Sequence, residues 1–104
     1  SLTMADKSWK KFERDVAKKM GGERIGPSGT DTNDVSHDSF AIECKYRKSI
    51  PKLLTDGLKQ ADKLDLRTPV LFIKEKGKDA SRDMVCMWAD DFYNWFGVDD
   101  KGEK

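Results

Sequence analysis

The chain reads as an α/β fold: a mixed central sheet, combining an antiparallel hairpin with a parallel crossover, flanked by helices. Three observations predict it. Residues 8–20 carry apolar side chains at helical spacing, Phe40–Arg47 alternates apolar with charged or small residues, and two continuous apolar runs follow a second helical segment. A strand, a crossover helix and a further strand favour parallel pairing, whereas two strands joined by a short polar turn pair antiparallel. At 104 residues the chain is expected to form one domain, residues 4–97. Ser1-Leu2-Thr3, before Met4, reads as a remnant of expression, and residues 98–104 as a frayed polar tail.

The first helix is expected to start at a Ser8 cap and to close at Gly21-Gly22. At roughly 100° per residue, Trp9, Phe12, Val16, Ala17 and Met20 share an arc of about 140°. Lys10, Lys11, Arg14, Lys18 and Lys19 take the opposite side. Glu13 is the exception, a carboxylate inside the apolar arc. Burying it is costly unless it is paired or coordinates something.

Glu23-Arg24-Ile25 is a candidate short strand, and Gly26–Thr30 is a loop by composition. Asp34-Val35 begins another strand. With the polar turn Ser36–Ser39, it reads as a hairpin with Phe40–Arg47. On that strand Phe40, Ile42, Cys44 and Tyr46 are expected to face the core, with Ala41, Glu43, Lys45 and Arg47 on the other face. Pro51 opens the second helix, with Leu54, Leu58, Ala61 and Leu64 at helical spacing. Val70–Ile73 and Met84–Trp88 suit strands covered on both faces. Asp90 is placed to cap a last short helix ending at Gly97, and Trp88, Phe92, Trp95 and Phe96 read as core or subunit interface.

Composition narrows the function classes. No apolar run approaches the ~20 residues that span a bilayer, and no signal-peptide pattern is present, so the expected compartment is the cytoplasm. Cys44 and Cys86 fall in apolar runs and read as reduced, buried thiols rather than a disulfide or zinc site. His37, the one histidine, sits in a turn and reads as a surface residue. A net charge of +1 means that any nucleic-acid surface depends on segregating the basic residues.

Glu43-Cys44-Lys45 is the most informative triplet. Alone, Glu-x-Lys also fits an exposed strand face in so charged a chain. Combined with Asp34 on the neighbouring strand and Glu13 on the apolar arc, it points to a metal-assisted phosphodiester hydrolase. Mg²⁺ takes one or two carboxylates plus waters and substrate oxygens, and Mn²⁺ is expected to substitute. The expected ligands are Asp34, Glu43 and the Cys44 backbone carbonyl, with Glu13 a direct or water-mediated ligand. Lys45 would position the attacking water or neutralise charge in the transition state. Arg47, Lys48 and Lys52, just after this strand, are candidate phosphate contacts.

The arrangement of Glu13, Asp34 and Glu43-Cys44-Lys45 resembles the PD-(D/E)XK nuclease superfamily. Arg24-Ile25-Gly26-Pro27-Ser28-Gly29-Thr30, Asn33-Asp34-Val35 and Ile42-Glu43-Cys44-Lys45 are similar to archaeal-type Holliday junction resolvases, including those of phages. Asn33 stands where that family usually has proline. The resemblance covers most of the chain and implies a restriction-endonuclease-like core, catalytic roles for Glu13, Asp34, Glu43 and Lys45, and substrate contacts from Arg24, Ser28 and Gly29. It also implies branched DNA as substrate. Two cuts in one junction need two sites, hence an expected homodimer. The alternatives are a nuclease of the same fold acting on nicked, flap or duplex DNA, and a DNA-binding module without turnover.

Overall fold

The computed structural model describes residues 4–25, 34–63 and 66–104. The described residues form a mixed α/β protein with three α-helices and two small antiparallel sheets. They divide into two compact units, one running up to Arg47 and resuming at Tyr93–Lys104, the other being Lys48–Phe92.

In the first unit, α1 spans Met4–Met20. It begins a turn before the expected Ser8 cap. Met4, Ala5 and Lys7 are good helix formers, so nothing local stops the helix from extending back past Ser8. Gly21, at φ 72°, ends it. The Gly22 N–H donates to the Ala17 carbonyl at 2.9 Å and the Gly21 N–H to that of Lys18 at 3.3 Å. This crossed pair of bonds satisfies carbonyls that the last turn leaves open. The helix lies on a two-stranded sheet, β1 (Glu23–Arg24) and β2 (Val35–Ser36), paired antiparallel with Arg24 opposite Val35. Gly22 is needed where the chain turns into β1, because a Cβ there would sit 2.0 Å from the Ser36 carbonyl oxygen.

Ala17, Val35 and Cys44 form the centre of this unit, with Val16 and Ile42 packed against them. Val35 is fully buried. The expected arc on α1 holds for Ala17, Met20 and Glu13, all buried, but Phe12 at its edge and Trp9 in its middle, nearer the start of the helix, remain more than a third exposed.

The segment 40–47 departs from the expected strand. It makes one antiparallel bridge, Ile42 with Val35, and no ladder beyond it. The Ile42 carbonyl takes the Asp34 and Val35 N–H groups, at 2.9 and 3.4 Å. Beyond Ile42 the Cys44 N–H is bound by the Asp34 side chain rather than by a strand. The alternation persists as far as Cys44, which is 6% exposed, while Tyr46 is 48% exposed and lies against Phe12 instead of entering the core.

The second unit contains α2 (Lys52–Asp62), β3 (Leu71–Ile73) and β4 (Met84–Cys86). Pro51 precedes α2 with its ring-fixed φ of −50°. Leu58 is the buried residue of the helix, and Gly57 allows close contact with β3, since a Cβ there would meet the Leu71 side chain at 2.7 Å. Leu64 of the expected apolar stripe lies outside the described residues. β3 and β4 pair antiparallel, Phe72 opposite Val85. Their connection carries a turn at Gly77, φ 84°, and a 3₁₀ turn at Ala80–Arg82, and the hairpin it forms sets their antiparallel sense.

Two expectations fail here. No parallel pair occurs among the described residues, so the crossover into a mixed sheet is not formed. Nor are β3 and β4 covered on both faces, because α2 packs on one side only. Phe72 and Val85, which share the uncovered face, are 77% and 60% exposed.

α3 spans Ala89–Phe96, so Asp90 lies in its first turn rather than at the cap. After it the chain is not frayed. Gly97 N–H donates to Tyr93 O at 2.7 Å, and Val98 N–H to Lys19 O at 2.9 Å, tying the segment to the end of α1. Asp99 Oδ1 then accepts the Lys101 and Glu103 N–H groups, both at 2.9 Å, in a closed turn. No helix among the described residues is long and apolar enough to cross a membrane.

Candidate functional site

The chemistry-bearing residues of the first unit gather around Cys44. Asp34 stands immediately before β2, and its N–H donates to the Ile42 carbonyl at 2.9 Å. One of its oxygens, Oδ2, accepts the Cys44 N–H at 2.6 Å, a charge-assisted bond that fixes the carboxylate against the 40–47 backbone. Glu43, one residue earlier, projects from the exposed side of that segment. A side-chain hydrogen bond with Asp34, and then the like charge of Asp34, hold the Glu43 carboxyl above the usual glutamate value, with Lys45 pulling the other way. Two carboxylates this close resist ionising together. Lys45 Nζ lies 3.6 Å from Glu43 Oε2, both side chains more than half exposed. Alternation thus brings the Glu43 and Lys45 charges to one side, as the sequence predicts.

Cys44 points the opposite way, into the core. Burial, followed by the charges of Asp34, Glu13 and Glu43, pushes its thiol up to about 11. It is a free thiol, as is the half-buried Cys86. A thiol this reluctant to ionise packs as a small apolar side chain and is neither nucleophile nor metal ligand.

Glu13 approaches the same centre from α1 but is engaged elsewhere. Its carboxylate is 2% exposed and accepts a 2.6 Å hydrogen bond from Arg24 Nε on β1. The partner demanded by an acid on an apolar arc is therefore a guanidinium. Sequence reasoning assigned Glu13 to the cation and Arg24 to the substrate, and missed their pairing. The available signal was an unpaired carboxylate on the core face of α1 and an arginine on the strand that folds back against it. Among the described residues no group of three or more histidine, cysteine, aspartate or glutamate side chains is arranged to hold a metal ion. Asp34 and Glu43 are the carboxylate pair that remains.

Of the candidate phosphate contacts, Arg47, Lys48 and Lys52 are exposed. Arg47 donates to its neighbour's carbonyl, Tyr46 O, at 3.3 Å, and Lys52 lies 3.9 Å from Asp56 one helical turn on. Ser28 and Gly29 lie outside the described residues. His37 is a turn residue: its Nδ1 accepts the Ser39 and Phe40 N–H groups at 3.0 and 3.3 Å. No protein-family model, curated protein or solved structure matches this chain.

Proposed function

We propose that the protein is a Mg²⁺-dependent endodeoxyribonuclease of the PD-(D/E)XK type, with a restriction-endonuclease-like core, acting as a homodimer on branched DNA in the manner of a Holliday junction resolvase. The observation that carries this reading is the Asp34–Glu43 carboxylate pair, with Asp34 fixed by the Cys44 N–H and Lys45 lying 3.6 Å from Glu43. The donor set suits the cation. Mg²⁺ is held through one or two carboxylates and completes its octahedron with water and phosphate oxygens, so a third carboxylate is not required. Two carboxylates that resist ionising together are a pair whose repulsion a divalent cation relieves, and Mn²⁺ meets the same ligands.

When bound, such a cation supplies an acidified water and stabilises charge on the scissile phosphate. The chain's own residues do the rest. Asp34, anchored by the Cys44 N–H, keeps its second oxygen available as a rigid ligand. Glu43 would supply the second carboxylate to a bound cation. Lys45 places an ammonium where the non-bridging oxygens gain charge, a contact that strengthens as the transition state forms. Arg47, Lys48 and Lys52 contribute exposed cations for the flanking phosphates. The element order of a helix, two short strands, the Glu43–Lys45 segment, a helix, two strands and a last helix agrees with the resemblance drawn from the motifs.

The test is cleavage of a synthetic four-way junction in Mg²⁺, beside linear duplex and flap substrates, by wild type, Asp34→Asn and Glu43→Gln. Junction cutting by wild type and its loss in both variants is the expected result. Equal cutting of all three substrates would replace the resolvase reading with a general nuclease. Binding without cutting would leave a DNA-binding module. Sedimentation of the free protein and of the junction complex tests the dimer, for which the exposed Trp95 and Phe96 are the proposed contact.

A further inference from the structure

The Glu13–Arg24 pair has a geometry that ordinary charge neutralisation does not require. Arg24 gives Nε to Glu13 Oε1. Among the described residues its two terminal nitrogens have no other hydrogen-bond partner. Glu13 is almost wholly buried, while the Arg24 side chain is 21% exposed. A guanidinium presents five N–H donors in a rigid plane. Fixing it through Nε orients the plane and leaves the terminal pair of nitrogens as a fork, the arrangement that takes two oxygens of one phosphate. The carboxylate sits too deep to compete for that phosphate. Arg24 lies opposite Val35, the residue after Asp34, and the Ile25 N–H donates to the Asp34 carbonyl at 3.0 Å, so this fork belongs to the same neighbourhood as the carboxylate pair.

We infer that Glu13 is a positioning residue rather than a cation ligand: it holds Arg24 by Nε so that the outward nitrogens receive a phosphodiester oxyanion of the DNA backbone. This deepens the nuclease reading by assigning the substrate contact. It stands apart from that reading in one respect, because the contact needs no divalent cation. Arg24 does not leave Glu13 on binding, and Glu13 acts on DNA only through Arg24.

Two measurements on the full chain test this. The first uses wild type alone, in EDTA, following the arginine side-chain resonances of ¹⁵N-labelled protein while a short duplex or inorganic phosphate is added. The Arg24 Nε–H signal is expected to hold its place while the terminal nitrogens shift, strongly with duplex and weakly with free phosphate. An Nε–H signal that moves or vanishes on binding would mean that Arg24 abandons Glu13, and would overturn the inference. The second compares DNA affinity in EDTA for Arg24→Gln, Glu13→Gln, Arg24→Lys and the Glu13→Gln/Arg24→Gln double variant. Arg24→Gln is expected to weaken binding about tenfold and to reduce the salt slope by about 1. The double variant should bind no more weakly than Arg24→Gln, and lysine should not rescue. Mn²⁺ affinity, measured by calorimetry, should be unchanged in Glu13→Gln. Additive losses, or a Glu13→Gln protein that binds DNA normally and Mn²⁺ poorly, would return Glu13 to the cation. Should Glu13→Gln fail to fold, the wild-type resonances still decide. Asp34→Asn separates the two readings: it should keep cation-free DNA binding intact, so failure of cleavage chemistry and failure of the Arg24 contact are distinct results.

Discussion

Asp34→Asn tests the candidate site most directly, because Asp34 does two separable things. It accepts the Cys44 N–H at 2.6 Å, and it raises the affinity of Glu43 for its proton. Asparagine keeps an acceptor oxygen for the Cys44 N–H but loses the charge. A charge-assisted hydrogen bond is worth about 1.5–3 kcal/mol and a neutral one about 0.5–1.5, so the change costs roughly 1 kcal/mol of stability. Relief of like-charge crowding with the exposed Glu43 offsets part of that. Asp34→Ala removes the acceptor altogether and leaves the N–H of a buried residue unpaired, at about 1–3 kcal/mol. Urea denaturation should therefore rank wild type above Asp34→Asn and Asp34→Ala lowest. Carbon-detected titration of the Glu43 carboxyl should show its midpoint falling toward the ordinary glutamate value in both variants, and Mg²⁺-dependent cleavage should be abolished in both. An unchanged Glu43 midpoint would refute the influence of Asp34 on Glu43. Equal stability of the asparagine and alanine variants would refute the role assigned to the Cys44 N–H bond.

Cation binding should follow the same titration in wild type. Because Glu43 binds its proton more tightly folded than unfolded, its contribution to stability is present below the ordinary glutamate value and is lost as pH rises through the raised one. Mg²⁺ affinity should increase across that window, with proton release visible as a buffer-dependent enthalpy in calorimetry. The Cys44 thiol, pushed up to about 11, is about one part in a thousand thiolate at pH 8, and iodoacetamide should label it at that pH only after denaturant is added. Gly22→Ala should destabilise the protein by about 1–3 kcal/mol or more in a thermal melt, since the Ser36 carbonyl oxygen 2.0 Å away is backbone and must shift with the whole β1–β2 pair. DNA affinity should fall steeply with salt, by close to one power of the salt concentration for each phosphate contacted by Arg24, Arg47, Lys48 or Lys52. A flat salt dependence would show that these side chains do not meet phosphates.

Local rules were legible in the sequence to different depths. The end of α1 was legible because glycine at a positive φ is the common solution for closing a helix, and Gly21-Gly22 supplies it. Its start was not, because Ser8 is a good cap only if the residues before it leave the helix, and Met4–Lys7 favour staying in it. The alternation in 40–47 reported which side chains are buried and said nothing about whether a ladder partner exists for each N–H. Asp34 took the place of that partner at Cys44. The apolar runs of β3 and β4 were read as doubly covered strands because an unbroken run carries no face information. In the structure α2 covers the Leu71 side and leaves Phe72 and Val85 exposed. The turn after Val98 was missed for a related reason. Its stability comes from one side chain, Asp99, binding two later N–H groups, a pattern that composition reads only as polar.

Glu13 marks the boundary between what a sequence can demand and what only coordinates assign. Helical periodicity placed a carboxylate among apolar neighbours, and the cost of burying it required a positive partner. A divalent cation and a guanidinium satisfy that demand equally well on electrostatic grounds, so periodicity could not choose between them. The choice falls to register. Pairing of Arg24 with Val35 across β1 and β2, and packing of α1 over both, brings Nε to the carboxylate at 2.6 Å. Once Arg24 is there, the charge demand of Glu13 is met without an ion, and Asp34 and Glu43 are the carboxylates whose mutual crowding is still unrelieved. On the proposed reading, the two carboxylate problems of this chain thus have two different solutions. Removing Arg24 should therefore recreate for Glu13 the demand it now satisfies, and make Arg24→Gln more sensitive to stabilisation by Mn²⁺ than wild type in a thermal melt. A melting shift with Mn²⁺ equal in both proteins would show that Glu13 stays out of reach of the cation even when it is unpaired.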